Sequence, residues 1–275
     1  MISQVLINGE ISDGRIPVTD SSVLRGDGCF EVLKVYDGRP FRLEAHLDRL
    51  EASASRLEIS IPNRGDISSW ITRTAESLDD CLVRVVVTRG SSVPGGDEPT
   101  QVIVFAHEYA FQSDQVRLSP VEAPWHAAGV EWDLAGAKIL SYAPNLAATR
   151  RARKEGFEDA LLVTTDGRVL EGPTFSIAWV IDDVLETPTL DLGILDSITR
   201  RVVLDAARRL GIEVLEGSWV LDRLYEAVEV MAFSTVREVQ SVSQIGEMSF
   251  PRGPLTARLA SGFEALTSQR PKPGN

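Results

Sequence analysis

The chain has 275 residues, of which 43% are hydrophobic and 25% are charged, and 28 Lys and Arg stand against 40 Asp and Glu for a formal net charge of −12. This length accommodates one large domain or two ordinary ones. The acidic balance argues against a nucleic-acid partner and an anionic membrane surface, although a few local arginines can still bind a small anion.

The sequence also gives little support for a metal site or for disulfide bonds. Cys29 and Cys81 are too few for a disulfide framework or a Cys-rich zinc site, and His46, His107 and His126 are scattered without ligand spacing. The first residues do not read as a signal peptide, and no stretch approaches the roughly 20 apolar residues of a membrane span. We therefore expect a cytoplasmic protein without a resident metal.

Strands with helices between them are predicted in the first half. Leucines recur at helical spacing between residues 42 and 57, and β-branched residues cluster in several short runs. The predicted strands cover residues 4–7, 29–36, 83–89 and 102–106, and the predicted helices cover 42–57 and 67–78. This order favours an α+β fold.

Apolar periodicity lapses around residues 113–124, so a linker over residues 116–123 is predicted between domains 1–115 and 124–275. The second half again mixes helices and strands. Helices are predicted over residues 144–155, 197–210 and 254–266, and strands over 160–164, 175–181, 184–186, 228–233 and 236–242. Gly211 occupies the C-terminal cap position of the strongly amphipathic helix 197–210.

Lys138 follows Gly136 and Ala137 and precedes the apolar pair Ile139 and Leu140. A lysine removed from water has its pKa lowered and becomes an amine nucleophile suited to a Schiff base. The alternative is a lysine whose stem lies along apolar surface while its ammonium reaches water.

Three more features follow Lys138 in the chain. Glu171 is a carboxylate before a glycine, residues 193–200 open directly into a long helix, and Thr235 ends a predicted strand. Backbone N–H groups and the dipole make such a helix start an anion site, although a plain start capped by Asp196 or Ser197 fits too. An amine, a carboxylate and an anion site together describe a site for pyridoxal 5′-phosphate (PLP).

From residue 5 to residue 242 the sequence resembles the class IV aminotransferases, the fold-type IV PLP family. The motifs that carry the resemblance are residues 25–32, 44–50, Lys138 with its neighbours, 170–172, 193–200 and 234–235. It implies an N-terminal α/β sandwich and a C-terminal pseudobarrel, with the cofactor between them in a homodimer.

The resemblance also assigns roles to individual residues. Lys138 matches the Schiff-base lysine and proton shuttle, and Glu171 matches the partner of the pyridine nitrogen. The resemblance places Arg49, Ile198, Thr199 and Thr235 at the phosphate. It places Tyr142 beside the cofactor ring. One departure is Ser176, which stands where the family usually has Asn.

The subgroup is less clear from the motifs. Residues 26–30 resemble the aminodeoxychorismate lyases, and Arg84 stands where the lyases carry a basic residue. However, Val32 stands where the lyases have a threonine, and residues 30–36 are closer to the D-amino acid transaminases. The Arg-x-His pair of those enzymes is absent from residues 90–97, and the branched-chain signature, a glycine after Phe-Glu, is missing too. The candidate substrate residues are Arg25, Phe30, Val32, Arg84 and Arg89.

These observations predict a transaminase that moves an amino group from a D-amino acid or (R)-amine to an α-keto acid by a ping-pong mechanism through a Lys138 aldimine. One alternative is an aminodeoxychorismate lyase that releases pyruvate and 4-aminobenzoate. A branched-chain L-amino acid aminotransferase and a non-catalytic anion-binding protein are the others.

Overall fold

This computed structural model describes residues 2–76, 78, 80–91, 93, 94, 96, 99–109 and 113–268. The chain divides into two compact units, Met1–Ala110 with Gly136–Tyr142 and Phe111–Ala135 with Ala143–Asn275. Each unit contains one sheet and its own helices, which confirms the mixed fold class. The division into domains 1–115 and 124–275 stays a prediction.

The first unit is built on a six-stranded antiparallel sheet with the order β2-β1-β6-β5-β3-β4. Its strands are β1 (Ile2–Ile7), β2 (Glu10–Ser12), β3 (Gly28–Tyr36), β4 (Arg39–Pro40), β5 (Cys81–Thr88) and β6 (Gln101–His107). Its helices are α1 (Ser21–Arg25), α2 (Leu43–Arg56) and α3 (Arg64–Ala75). The two longer helices were predicted. The short α1 was not, because its end had been interpreted as a glycine loop.

Alternate residues of β3 and β5 point to opposite faces of this sheet. Leu33 and Val83 are buried in a cluster with Leu50 of α2 and Ile71 of α3, so this face packs on the helices. Full burial of one such side chain contributes roughly 1.5–3 kcal/mol. The opposite face carries the even-numbered residues of β3 and β5, which include three of the candidate substrate residues.

An eight-stranded mixed sheet forms the second unit, with the order β11-β10-β9-β12-β13-β7-β8 and β14 paired to β13. Its strands are β7 (Gln115–Glu122), β8 (Asp159–Val163), β9 (Ser176–Ile181), β10 (Val184–Pro188), β11 (Val214–Gly217), β12 (Glu229–Ser234), β13 (Glu238–Ile245) and β14 (Met248–Ser249). Its α-helices are α4 (Ala143–Lys154), α5 (Ile198–Arg209) and α6 (Pro254–Thr267).

The segment expected as a linker is β7. Val116, Leu118 and Val121 are buried, and the strand pairs in parallel with both β13 and β8. The sequence does not show a clear alternation of apolar and polar residues here, because the segment contains Pro120 and several exposed polar residues. Within the described part of the chain, no helix combines the length and apolar character needed to cross a membrane.

Candidate active site

Three hydrogen bonds fix the backbone of Lys138 and Leu140 within the first unit. Its carbonyl accepts the Phe30 N–H at 3.0 Å, and its own N–H donates to Ser53 Oγ of α2 at 3.1 Å. Leu140 N–H donates to the Gly28 carbonyl at 2.8 Å. Gly28 permits this approach, because a Cβ there would lie 2.7 Å from Leu140 Cδ1. Residues 136–142 thus lie along the start of β3.

The Lys138 amine lies against two aromatic rings. Its Nζ is 4.3 Å from the ring centroid of Phe30 and 5.7 Å from that of Tyr142. The two rings meet edge to face with centroids 5.4 Å apart. Both contacts have the geometry of cation–π interactions. The structure therefore brings together three residues that were selected separately from the sequence.

Glu31 points to the helix face of the same strand and has no counterpart in the sequence predictions. It is 1% exposed and accepts hydrogen bonds from Arg49 Nε at 2.7 Å, Arg49 Nη2 at 2.8 Å and His46 Nδ1 at 2.8 Å. Burial alone would raise the pKa of Glu31, but Arg49 and His46 lower it far below its usual range. Burial lowers the pKa of His46. The Arg49 guanidinium is consequently held in one orientation.

The phosphate role of Arg49 stays a prediction, and Glu31 and His46 are its newly found partners. The sequence contained two usable signals for them. His46 and Arg49 are three residues apart, so they share a face of α2. Glu31 lies in a mostly apolar run, where a carboxylate is expected only with a partner.

In the second unit, Glu171 contacts the loop before α5. Its Oε1 accepts the Leu195 N–H at 3.0 Å, and the Glu171 carbonyl accepts the Leu162 N–H of β8 at 2.9 Å. Gly172 must lack a side chain, because a Cβ there would lie 2.1 Å from the Phe175 ring. These contacts join the predicted pyridine partner to the predicted phosphate loop.

The start of α5 has the features of an anion site. Ser197 Oγ caps the helix by accepting the Arg200 N–H at 3.3 Å, while the first N–H groups of any helix lack intrahelical acceptors. Ile198 and Thr199, which the sequence assigned to the phosphate, form that first turn and are buried. Asp196 pairs with Arg201, so its charge is balanced beside the helix.

The predicted phosphate hydroxyl of Thr235 lies in the turn between β12 and β13. Ser234 Oγ accepts the Arg237 N–H across this turn at 3.2 Å. Ser176 is directly opposite Phe233, and its buried Oγ has no hydrogen-bond partner among the described residues. Ser176, which stands where the family usually has Asn, therefore has an unsatisfied hydroxyl and lies opposite the residue just before the end of β12.

The three candidate substrate arginines differ in their contacts. Arg89 donates to both Asp27 oxygens, at 2.6 and 3.1 Å, and to the Leu57 carbonyl at 2.6 Å. A substrate carboxylate would have to replace these bonds. Arg25 is exposed at the last position of α1. Arg84 lies on β5 directly opposite Val32 and donates from Nε to His107 Nε2 at 3.0 Å.

The types of donor fit PLP. The first unit supplies a lysine amine between two rings and an orientated arginine. A carboxylate bonded to a helix-start loop, and a turn with a threonine hydroxyl, come from the second unit. These are the groups that an aldehyde, a pyridine nitrogen and a phosphate require.

Comparison with known proteins agrees with the resemblance. A family model described as amino-transferase class IV matches residues 28–245. A Methanocaldococcus jannaschii protein provisionally named branched-chain-amino-acid aminotransferase is 33% identical, covering 97% of each chain. A bifunctional aminodeoxychorismate lyase/D-amino acid transaminase of Mycobacterium tuberculosis is 29% identical, covering 95% of this chain and 97% of the relative.

The fold agrees as well. The PLP-bound form of a hypothetical aminotransferase from Mycobacterium tuberculosis superposes with a TM-score of 0.87 at 26% identity, covering 97% of this chain and 99% of that one.

Proposed function

Since the chain belongs to the class IV aminotransferase family, whose enzymes depend on PLP, we propose that it moves an amino group from a D-amino acid to an α-keto acid. The D configuration in this proposal rests on the likeness of residues 30–36 to the D-amino acid transaminases, and the observation that supports a carboxylate on the substrate is Arg84. It favours a substrate with a carboxylate over a simple (R)-amine.

Arg84 is a half-buried cation without an acidic partner. No carboxylate among the described residues lies within ion-pair distance, and Nη1 and Nη2 make no hydrogen bond with them. His107 Nδ1 lies 2.7 Å from the Glu108 carbonyl oxygen and so carries the proton, which leaves Nε2 as the acceptor for Arg84 Nε. Burial lowers the pKa of Arg84, but a guanidinium stays charged at neutral pH.

The position of Arg84 suits a substrate that reacts at Lys138. Arg84 is directly opposite Val32, and Val32 is two residues from Phe30 on the same face of β3. The Lys138 amine lies over the Phe30 ring. The two remaining guanidinium nitrogens can bind a carboxylate through paired charge-assisted hydrogen bonds.

Each residue then has a definite task. When bound, PLP would supply an electron sink for the electron pair left at the donor's Cα. Lys138 Nζ would take the proton from Cα of the amino donor, hold it, and return a proton to Cα of the keto acid in the second half of the reaction. Phe30 and Tyr142 hold the amine and exclude water. Glu171 would keep the pyridine nitrogen protonated.

The phosphate would be held by the remaining predicted residues. The backbone of Ile198, the hydroxyls of Thr199 and Thr235, and the guanidinium of Arg49 supply hydrogen-bond donors of the kind a phosphate requires. We further propose a homodimer, which size-exclusion chromatography with light scattering would test.

The test is an absorbance titration of the purified protein with D-alanine, D-glutamate, L-leucine, L-glutamate and (R)-1-phenylethylamine, each followed by keto-acid turnover. D-Amino acids should convert the cofactor band, and Lys138→Ala should abolish conversion. Arg84→Leu should raise the KM for D-alanine at least tenfold and leave the (R)-amine reaction unaffected. Conversion by L-leucine alone would refute the proposal in favour of a branched-chain enzyme.

A second candidate is the aminodeoxychorismate lyase reaction, which the bifunctional Mycobacterium tuberculosis relative favours. It would use Lys138 for proton transfer in the elimination of pyruvate. If no amino donor converts the cofactor band, release of pyruvate from aminodeoxychorismate should be measured by a coupled assay.

A further inference from the structure

One arginine links the turn that carries Thr235 to other strands of the second unit. Arg237 closes this turn, and its N–H donates to Ser234 Oγ at 3.2 Å. Its guanidinium leaves the turn and is 12% exposed. None of the sequence predictions accounts for a cation of intermediate burial two positions after Thr235.

Two polar partners and one ring fix the Arg237 guanidinium. Nη2 donates to Asp159 Oδ2 at 2.7 Å, and Nη1 donates to Gln240 Oε1 at 2.6 Å. The guanidinium carbon lies 4.6 Å from the centroid of the Phe175 ring. Asp159 in β8 and Gln240 in β13 therefore fix the direction of the Arg237 side chain, and the Phe175 ring fixes the plane of its guanidinium.

The principal partner, Asp159, is itself rigid. It is 5% exposed, and its other oxygen accepts the Thr149 hydroxyl of α4 at 2.8 Å and the Ala160 N–H at 2.9 Å. A buried carboxylate with these bonds cannot follow a displaced arginine without leaving its own donors unpaired. The pair of Arg237 with Asp159 therefore fixes the position of the β12–β13 turn relative to the interior of the unit.

We propose that Arg237 is a positioning residue, which holds the turn so that the Thr235 hydroxyl binds the cofactor phosphate. This proposal rests on the proposed function, because Thr235 was assigned to the phosphate by family resemblance. Glu171 is held by hydrogen bonds from Leu195 and Leu162, and neither bond involves Arg237. Loss of Arg237 should therefore weaken the phosphate contacts and leave the contacts to the ring and aldehyde intact.

Pyridoxal and PLP distinguish these two sets of contacts, because they differ only in the phosphate. The apoprotein is titrated with each ligand, and both dissociation constants are measured by absorbance and tryptophan quenching. Arg237→Met should weaken PLP at least tenfold and pyridoxal less than twofold. Equal weakening of both ligands, or an unchanged PLP constant, would overturn the proposal.

Arg223→Met is the matched control. Arg223 also pairs with a buried acid, Glu186, at 2.9 Å and lies 5.9 Å from the ring centroid of Trp219, but its partners lie outside the Thr235 turn. It should lower thermal stability and leave the ratio of the two dissociation constants unchanged. A changed ratio in this variant would mean that the ratio reports general destabilisation.

If Arg237→Met does not fold, Arg237→Lys supplies the measurement. A lysine can keep the charge opposite Asp159 but cannot bond to Asp159 and Gln240 together or stack as a plane on Phe175. It should weaken PLP at least threefold with pyridoxal unchanged, and the opposite pattern would again overturn the proposal. Failure of the wild-type protein to bind PLP would instead refute the proposed function.

Discussion

Replacing Glu31 with alanine tests whether the buried pair with Arg49 organises the first unit. Arg49 is 9% exposed and His46 is 3% exposed, so water cannot replace the lost carboxylate. Leaving one partner of a buried ion pair uncompensated costs about 3–5 kcal/mol. At a urea dependence of about 2 kcal/mol per molar, the unfolding midpoint should fall by roughly 2 M.

The assay is urea unfolding of the cofactor-free protein, followed by circular dichroism. Cofactor must be removed because a ligand that binds only the folded state adds its own stabilisation. The double variant Glu31→Ala/Arg49→Met removes both charges. It should be less destabilised than the sum of the single variants by about 0.5–3 kcal/mol.

Glu186→Ala is the comparison, since its partner Arg223 is 31% exposed and can be hydrated when the acid is lost. It should cost less than Glu31→Ala. A midpoint for Glu31→Ala within about 0.5 M of wild type, at the slope used above, would refute the argument. So would strict additivity of the two single changes.

Three further results are expected. Glu229→Ala should cost about 1–3 kcal/mol in thermal unfolding, because the carboxylate accepts two backbone N–H groups and the Thr256 hydroxyl at the start of α6. The pKa values of His46 and Glu31 are both lowered in the folded protein, so the unfolded chain binds more protons and the Tm should fall as the pH drops below about 6.5. His46→Gln should flatten the first part of that fall. Burial, with a smaller effect of the Glu31 charge, raises the pKa of the Cys29 thiol to about 12, so iodoacetamide at pH 8 should modify it only after unfolding.

Long, regular elements could be predicted from the sequence because their pattern is local. The helix predicted over 197–210 is Ile198–Arg209, with Ser197 as its N-cap, and the helix predicted over 254–266 is Pro254–Thr267. β7 was missed because its burial comes from two parallel neighbours distant in sequence. The residue pattern within 115–122 gives no indication of those two partner strands.

The same distinction separates the site residues. Lys138 and Glu171 belong to short motifs, so each could be selected by reading along the chain. Asp159 and Arg237 are 78 positions apart, and Glu31 and Arg49 are 18 apart. Each pair is recognisable only once the strands and helices are assembled, since a lone buried charge has no local signature beyond its improbability.

The arginines show why net charge was a poor guide to ligand charge. Arg49, Arg89 and Arg237 each bond to a carboxylate of the chain. Their charges are therefore already balanced within the protein, and none of them is needed for a ligand carboxylate. Arg84 differs, because its partner is an imidazole nitrogen and no described carboxylate balances its charge. A half-buried guanidinium without an anion is costly in the unliganded protein and is stabilised when an anion binds. That difference makes Arg84 the arginine whose replacement should change substrate choice most and the stability of the unliganded protein least.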